Sequence, residues 1–457
     1  MNTIETIAAI ATPPGEGGVG IVRISGSKVW KIADEIFQTL EKTEKPSAAR
    51  GGTFLHGRVV DADGKEIDDA LCLIFRAPHS YTGEDTIEIQ GHGGAVVLKN
   101  ILRRALEAGA RMAEPGEFTQ RAFLNGKMDL VQAEAVADLI HARSDRAAAA
   151  ALEQLEGSLS KQFDSLYDGL VETAADLETT LDFVEDELPD DVFPNLGKKL
   201  DESFQTLEKL LSTWDEGRLL RDGARVVIMG RPNAGKSTLF NALLGADRAI
   251  VTDIAGTTRD IIEEGFVLGG VPLRILDTAG LREAECEIER EGIRRARAHS
   301  EAADIAVYLI DSSQPVSDED AEHLQKLDPA QTIVVCNKCD SRHTNFRFEN
   351  SNFQTLETSL LSGNGVAELG LVISEKLGDV SSAPAHAVIS ERHRDLLVAA
   401  RGELSAACEK LSGKEDETVA LAAEHLRSAL EQLGQVTGRT YHDELLDNIF
   451  SRFCIGK

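Results

Sequence analysis

Residues 224–240, ARVVIMGRPNAGKSTLF, decide the fold of the central part of the chain. The β-branched run at 226–228 predicts a strand, residues 230–237 fit the pattern G-x-x-x-x-G-K-S, and a helix-forming segment follows. In this strand–loop–helix context, backbone N–H groups surround phosphate oxygens, the Lys236 ammonium reaches the β- and γ-phosphates and the Ser237 hydroxyl ligates Mg²⁺. The segment alone predicts a site for a nucleoside triphosphate.

A second motif decides which base is bound. The strand-like run QTIVVC leads into Asn337-Lys338-Cys339-Asp340, an N-K-x-D sequence. The Asp340 carboxylate can accept hydrogen bonds from guanine N1–H and the 2-amino group, a pair that adenine does not present. Asn337 can contact the base edge and Lys338 can stack along it. These residues predict GTP rather than ATP.

Three more segments stand in the order that a GTPase requires. Residues 277–280, Asp-Thr-Ala-Gly, can hold Mg²⁺ through water and sense the γ-phosphate. Residues 256–260, Gly-Thr-Thr-Arg-Asp, can supply Thr258 to Mg²⁺. Residues 359–361, Ser-Leu-Leu, stand where GTPases usually have Ser-Ala-Lys. The predicted GTP contacts are Asn233, Ala234, Gly235, Lys236, Ser237, Thr238, Thr252, Asp253, Ile254, Ala255, Gly256, Thr257, Thr258, Asp277, Thr278, Ala279, Gly280, Asn337, Lys338, Asp340, Ser359, Leu360 and Leu361.

Leu281 occupies the position where many GTPases carry a water-orienting glutamine. A leucine side chain cannot orient a nucleophilic water, so hydrolysis must use another group. The following segment offers Glu283, Glu285, Glu287 and Glu289, and spacing alone does not choose among them.

Composition limits the remaining function classes. The 457 residues predict about three domains, and no apolar run reaches the length of a membrane span. A net charge of −29 argues against an autonomous, general nucleic-acid binder, although a local basic patch or a basic partner can still bring RNA to the chain. Six cysteines do not form a disulfide framework and favour a reducing cytoplasm. Cys336 and Cys339 spell C-x-x-C, but without a second pair a structural role is the better interpretation.

Periodicity predicts a multidomain fold that combines α/β and all-α parts. Residues 1–125 alternate strands and helices; 126–217 are helical; 218–383 form the GTPase domain with a doubly wound sheet; and 384–457 are helical again. One discontinuous helical domain interrupted by the GTPase domain explains this order, and two small helical bundles are the alternative.

The motifs together resemble the TrmE-Era-EngA type of GTPase, and the whole chain resembles its MnmE (TrmE) family, which modifies tRNA uridines. The resemblance rests on ATPPGEGGVGIVRISG near the start, YTGEDTIEIQGHGG, PGEFTQRAFLNGKMDLVQAEAVADLI, D-T-A-G-L-R and the terminal FCIGK. It implies an N-terminal folate-binding-like domain that forms a constitutive homodimer, and an inserted Ras-like P-loop GTPase domain.

The resemblance also implies site residues. Potassium beside the phosphates falls on Asn233, Thr252, Ile254 and Thr257, and Mg²⁺ falls on Ser237 and Thr258. The water-positioning glutamate of the family falls on Glu289, which spacing had left undecided. Tetrahydrofolate contacts fall on Arg23, Glu88, Lys127 and Lys457. Cys454 is a candidate catalytic thiol, and a structural cysteine is the alternative.

The function implied is a cytoplasmic, potassium-activated GTPase without a membrane segment. With the FAD-dependent partner MnmG (GidA), it adds an aminomethyl or carboxymethylaminomethyl group to C5 of the wobble uridine of certain tRNAs, using 5-formyl- or 5,10-methylene-tetrahydrofolate. Two other classes remain open from the GTPase motifs and the helical pattern: a ribosome-assembly switch and a purely structural dimerising GTPase. The resemblance disfavours both, because neither explains the folate-like domain and the C-I-G-K sequence.

Overall fold

A computed structural model describes residues 5–40, 44–181, 191–246, 265–268, 271–276, 303–344, 346–348, 352–377, 390–411 and 416–457. The chain divides into two compact units. The first comprises Met1–Ala137, Leu155–Ser203 and Ala399–Lys457, and the second comprises Asp138–Gln154 and Phe204–Val398. The confirmed fold class is therefore multidomain, with mixed sheets and many helices, while the predicted domain boundaries stay predictions.

The N-terminal part of the first unit is a seven-stranded sheet in the order β3-β4-β5-β6-β2-β1-β7. Only the β1–β7 pair is parallel among these pairings. The elements are β1 (Ile7–Ile10), β2 (Gly17–Ser25), α1 (Val29–Ile36), β3 (Phe37–Thr39), β4 (Thr53–Val60), β5 (Glu66–Phe75), β6 (Thr86–Gly93), α2 (Ala95–Glu107), β7 (Arg111–Met112) and α3 (Glu117–Leu124).

One face of this sheet is covered and the other is partly open. Alternate residues of the central strands, such as Val22, Ile24, Ile87 and Ile89, are fully buried and pack with α1 and α2. The residues between them point to the opposite face, as the period of two in a strand requires. That second face carries Arg23 and Glu88, which are directly paired across β2 and β6.

A group of helices lies on both sides of the GTPase motifs in the sequence. They are α4 (Leu130–His141), α5 (Asp145–Leu155), α6 (Ser158–Leu181), α7 (Val192–Ser212), α8 (Trp214–Asp222), α12 (Glu391–Leu411), α13 (Asp416–Thr437) and α14 (Asp443–Phe450). The first unit contains α6, α13, α14 and the larger parts of α4, α7 and α12, whereas α8 and nearly all of α5 belong to the second unit. Helices α6 and α13 pack together, and Arg427 of α13 pairs with Glu178 of α6 at 2.7 Å. This packing agrees with one discontinuous helical domain.

The second unit contains a six-stranded sheet in the order β13-β12-β11-β8-β10-β9. Its pairs are parallel except β9–β10. The elements are β8 (Ala224–Gly230), α9 (Lys236–Ala246), β9 (Gly265–Leu268), β10 (Val271–Leu276), β11 (Ile305–Asp311), α10 (Asp318–Leu324), β12 (Thr332–Asn337), β13 (Gln354–Glu357) and α11 (Val366–Lys376).

The central strands β8, β11 and β12 read as nearly continuous apolar runs because both of their faces are covered. In such a sheet, ligands bind at the carboxyl ends of the strands. The phosphate loop follows β8 and the N-K-x-D motif follows β12, so the topology brings both motifs to the same edge. In the parts of the chain that the structure describes, no helix is long and apolar enough to cross a membrane.

Candidate functional site

The phosphate loop joins the end of β8 to the first turn of α9. Gly230, Asn233 and Gly235 all have positive φ, at 135°, 67° and 108°. A left-handed non-glycine residue is uncommon, and such strain concentrates at ligand sites. The Lys236 ammonium donates to the Gly230 and Arg231 carbonyl oxygens at 2.8 and 2.9 Å, and burial lowers its pKa. The loop is therefore held curled around the space that phosphates would fill.

Asn337 links the phosphate loop to the guanine-recognition loops. Its side-chain amide donates to the Ala234 carbonyl at 2.9 Å and accepts from the Leu360 N–H at 3.2 Å. A Cβ on Gly235 would overlap the Asn337 amide nitrogen, so only glycine fits beside it. Residues 234, 337 and 360 are far apart in sequence, yet one buried amide joins them. The sequence analysis assigned Asn337 to the base edge and did not anticipate this linking role.

Asp340 is presented as an ionised acceptor. Its Oδ1 accepts from the Ser359 hydroxyl at 2.7 Å, and this hydrogen bond lowers the pKa of Asp340. Lys338, which has a φ of 62°, is held by Asp311 at 2.6 Å between Nζ and Oδ2. Asp340 of the N-K-x-D motif and Ser359 are thus joined directly, which orients the carboxylate that the sequence assigns to the guanine edge. Leu360 is buried, whereas Leu361 is 89% exposed.

Part of the predicted GTP site lies outside the described residues. This part comprises Thr252, Asp253, Ile254, Ala255, Gly256, Thr257, Thr258, Asp277, Thr278, Ala279, Gly280 and Glu289. Of the predicted metal ligands, Asn233 and Ser237 are described, and both are exposed, the first on the loop and the second in the first turn of α9 with Thr238. Within the described ranges, no three His, Cys, Asp or Glu side chains form a group that could hold a metal ion. Burial raises the pKa of Cys336 to about 11, which keeps it a thiol and agrees with a structural role.

A second cluster lies on the partly open face of the N-terminal sheet. The Arg23 Nε donates to Glu88 Oε1 at 2.8 Å, and each side chain is only 14% exposed. The backbone of Gly456 reaches this pair, with its carbonyl oxygen 3.5 Å from Arg23 NH1. Burial and the Arg23 charge lower the pKa of Lys457, while Glu88 opposes this shift. Three predicted folate contacts, at 23, 88 and 457, are therefore brought together.

This cluster has two cations around one carboxylate, so its charge favours an anionic or electron-rich oxygen of a ligand. The remaining Glu88 oxygen can accept from an amino group and a ring N–H. Both features match the pterin ring and carboxylates of a folate. The residues present fit the group that the sequence predicted.

Lys127 and Cys454 form no described bond with Arg23 or Glu88. The Lys127 ammonium donates to the Pro78 carbonyl at 3.1 Å, and its side-chain carbons adjoin Gly83. Cys454 is exposed, and its carbonyl accepts from the Lys457 N–H at 3.3 Å. The turn from 454 to 457 thus presents the thiol on the same segment as Lys457.

Comparison with known proteins finds matches along the whole chain. The family model described as "GTP-binding protein TrmE N-terminus" matches residues 6–127, and the one described as "MnmE helical domain" matches residues 130–454. The "tRNA modification GTPase MnmE" of Syntrophotalea carbinolica is 43% identical to this chain over 463 residues, covering all of both chains. The protein of the same name from Aquifex aeolicus is 42% identical over 455 residues, covering 99% of this chain and all of the relative.

The chain belongs to the MnmE family. Like its relatives, this MnmE-family protein is a GTP hydrolase of tRNA modification. A solved structure, the G domain of the FeoB iron transporter of T. maritima, is 23% identical and covers 35% of this chain with a TM-score of 0.25, and the assignment does not depend on it.

Several residues of this MnmE-family chain were missed by the sequence analysis. Tyr81 and Phe118 stack against Arg23, with ring centroids 5.2 and 5.6 Å from its guanidinium carbon. Tyr81 stands inside the YTGEDTIEIQGHGG segment, seven residues before Glu88, so the segment offered a usable signal. Gly456 lies inside C-I-G-K, but nothing in the sequence indicates that it touches β1.

Proposed function

We propose that this GTPase acts on the wobble uridine, position 34, of certain tRNAs and adds an aminomethyl or carboxymethylaminomethyl group at C5. The carbon would come from 5-formyl- or 5,10-methylene-tetrahydrofolate, and the FAD-dependent partner MnmG (GidA) would supply the redox chemistry. The observation that carries this proposal is the cluster of Arg23, Glu88 and Lys457 on one sheet face, assembled from both ends of the chain.

The chain's own groups have distinct roles in this proposal. Glu88 binds the pterin edge and is oriented by Arg23, while Lys457 neutralises an oxygen of the bound cofactor. Lys127, on the neighbouring loop, can meet a more distant carboxylate. Tetrahydrofolate supplies a one-carbon unit when bound, and Cys454 is the thiol placed closest in sequence to that site. Each role predicts weaker folate binding or lower product yield on substitution.

In the same proposal, the GTPase domain binds and hydrolyses GTP. Asp340 selects guanine and Lys236 holds the β- and γ-phosphates, while Ser237 and Thr258 ligate Mg²⁺. K⁺ bound by Asn233, Thr252, Ile254 and Thr257 would neutralise charge that develops between the β- and γ-phosphates, the task of an arginine finger in other GTPases. Glu289 would position the attacking water. Hydrolysis would rearrange the GTPase domains of a homodimer and couple to the modification.

The open sheet face supports homodimer formation through the N-terminal domain. Phe54 of β4 is 64% exposed, and Leu71 and Leu73 of the adjacent strand β5 lie half-buried on the same face. Large exposed apolar side chains grouped on one face are typical of interaction sites. Light scattering should give twice the chain mass for the wild type, and Phe54→Glu should shift it toward the single-chain mass.

The proposal also includes a cytoplasmic location and a division of tRNA binding between this chain and its partner. The five described cysteines are all free, as expected in a reducing compartment. With a net charge of −29, this chain should leave much of the tRNA phosphate binding to its partner. Strong, salt-sensitive tRNA binding by this chain alone would contradict that division.

The test is reconstitution with the FAD-dependent partner, undermodified tRNA, GTP and K⁺, using 5,10-methylene-tetrahydrofolate labelled with ¹³C in the transferred carbon. Mass spectrometry of the digested nucleosides should find the label in the wobble uridine. Glu88→Gln should abolish the label while GTP hydrolysis continues. An unlabelled but fully modified uridine would refute the folate assignment.

A further inference from the structure

The Arg23 guanidinium is enclosed between a carboxylate and two aromatic rings. Glu88 accepts from its Nε, and the rings of Tyr81 and Phe118 lie 5.2 and 5.6 Å from its Cζ. Only 14% of the Arg23 side chain is exposed. A cation over an aromatic face is held more strongly when both are shielded from water. The plane of the guanidinium is therefore set by the rings as well as by Glu88.

The Tyr81 ring is itself fixed from helix α3. Its hydroxyl lies 2.8 Å from the Thr119 hydroxyl, which is fully buried, and Phe118 on the same helix is also fully buried. Helix α3 is anchored by Arg121, which donates to the Glu5 carbonyl oxygen at 2.9 Å and to Glu84 Oε2 at 3.1 Å. The ring beneath Arg23 cannot turn without breaking contacts of a buried helix.

The other end of the guanidinium faces the C-terminal segment. Arg23 NH1 lies 3.5 Å from the carbonyl oxygen of Gly456, a residue 433 positions away in sequence. Lys457 follows immediately and senses the Arg23 charge. A rotation of the Arg23 guanidinium would break its contacts with both Glu88 and this carbonyl.

We infer that Tyr81 is a positioning residue, whose ring orients Arg23 so that the segment 454–457 docks beside Glu88. The inference rests on the proposed folate function only for the identity of the ligand. The docking of the segment 454–457 does not depend on that function. The ring, rather than the hydroxyl, supplies the effect, because the ring faces the guanidinium and the hydroxyl faces Thr119.

A purely structural role for Tyr81 is the competing explanation, because the ring also packs against the buried cluster of Ile7, Ala9 and Phe118. Two substitutions separate these explanations. Tyr81→Phe keeps the ring and loses the hydroxyl, whereas Tyr81→Leu loses the ring. Tyr441→Leu is the matched control, since Tyr441 stacks edge-on against Phe123 at 5.3 Å in the same unit.

The experiment measures three quantities on the full chain: the Kd of 5-formyl-tetrahydrofolate by calorimetry, hydrogen exchange of the peptide 451–457, and the thermal midpoint. Tyr81→Phe should stay within about twofold of the wild type in affinity and exchange. Tyr81→Leu should weaken folate binding about tenfold and speed exchange of the peptide several-fold, the size expected for a shielded cation–ring contact.

Two results would overturn the inference. In the first, Tyr81→Leu leaves the hydrogen exchange of the peptide 451–457 unchanged. In the second, Tyr441→Leu speeds this exchange as much as Tyr81→Leu does. If the wild type does not bind the folate, the proposed function fails, and the exchange of the peptide still decides the inference. If Tyr81→Leu does not fold, Tyr81→Met replaces it, because it also removes the ring and keeps an apolar side chain against the buried cluster. That variant should speed exchange of the peptide several-fold, and unchanged exchange would contradict the inference.

Discussion

Replacing Gly456 by alanine should separate folate binding from GTP hydrolysis. Gly456 has a φ of 97°, and a Cβ there would overlap the Ile10 carbonyl oxygen and lie 3.0 Å from the Ala11 Cα. Both obstacles are backbone atoms of or next to β1, which is held between β2 and β7. The strand cannot yield, so the segment that carries Lys457 must move away.

The size of the effect follows from two contributions. A left-handed conformation costs an alanine about 1–2 kcal/mol, and the steric overlap adds to this cost. Undocking also removes the Lys457 ammonium from the ligand, and a hydrogen bond to a charged group contributes about 1.5–3 kcal/mol. We therefore expect the Kd of 5-formyl-tetrahydrofolate to rise about 10- to 100-fold.

Calorimetric titration measures this change, and Gly109→Ala is the matched control. Gly109 has a similar φ of 110°, but nothing lies within 4 Å of its Cβ position. The control should lose a little stability and keep its folate affinity. Both variants should hydrolyse GTP at the wild-type basal rate, because the nucleotide residues belong to the other compact unit. Wild-type folate affinity in Gly456→Ala would refute the docking argument.

Three further predictions concern other parts of the molecule. Gly235→Ala should abolish binding of a fluorescent GDP analogue, because its Cβ would displace the Asn337 amide; unchanged binding would show that this amide is dispensable. Glu289→Ala should bind GTP normally and lose most turnover in K⁺ buffer, and near-normal hydrolysis would exclude the water-positioning role. Asp68 raises the pKa of His92 through a 2.7 Å hydrogen bond. The stability from that pair should be complete below pH ~6.5 and disappear as the pH rises through the higher folded-state pKa, and an NMR titration of Asp68→Asn should return the His92 pKa toward its ordinary value.

The elements around the phosphate loop and the N-K-x-D motif were predictable because their signals are local. The strand before Gly230 and the helix after Lys236 follow from apolar runs and glycine positions, and the strand before Asn337 is equally clear. The amide of Asn337 bridging Ala234 and Leu360 was not predictable, because it joins segments about a hundred residues apart.

The N-terminal domain was less predictable. The strands β1, β3 and β4 escaped notice, because they are short or interrupted by polar residues and gain their stability from neighbouring strands. Gly91 looks like a turn residue but lies within β6, where its missing side chain leaves space for the Asp68 carboxylate. The docking of Gly456 on β1 depends on contacts between the two ends of the chain, which no local pattern encodes.

The most direct test of the central claim is nucleoside analysis of tRNA from a strain that lacks this protein, complemented with the wild type, Glu88→Gln or Asp340→Asn. The account predicts that the wild type restores the C5 group on the wobble uridine and that neither variant does. The first variant should lose folate binding and the second should lose guanine selection. Wobble uridines that stay fully modified without the protein, or that Glu88→Gln restores completely, would contradict it.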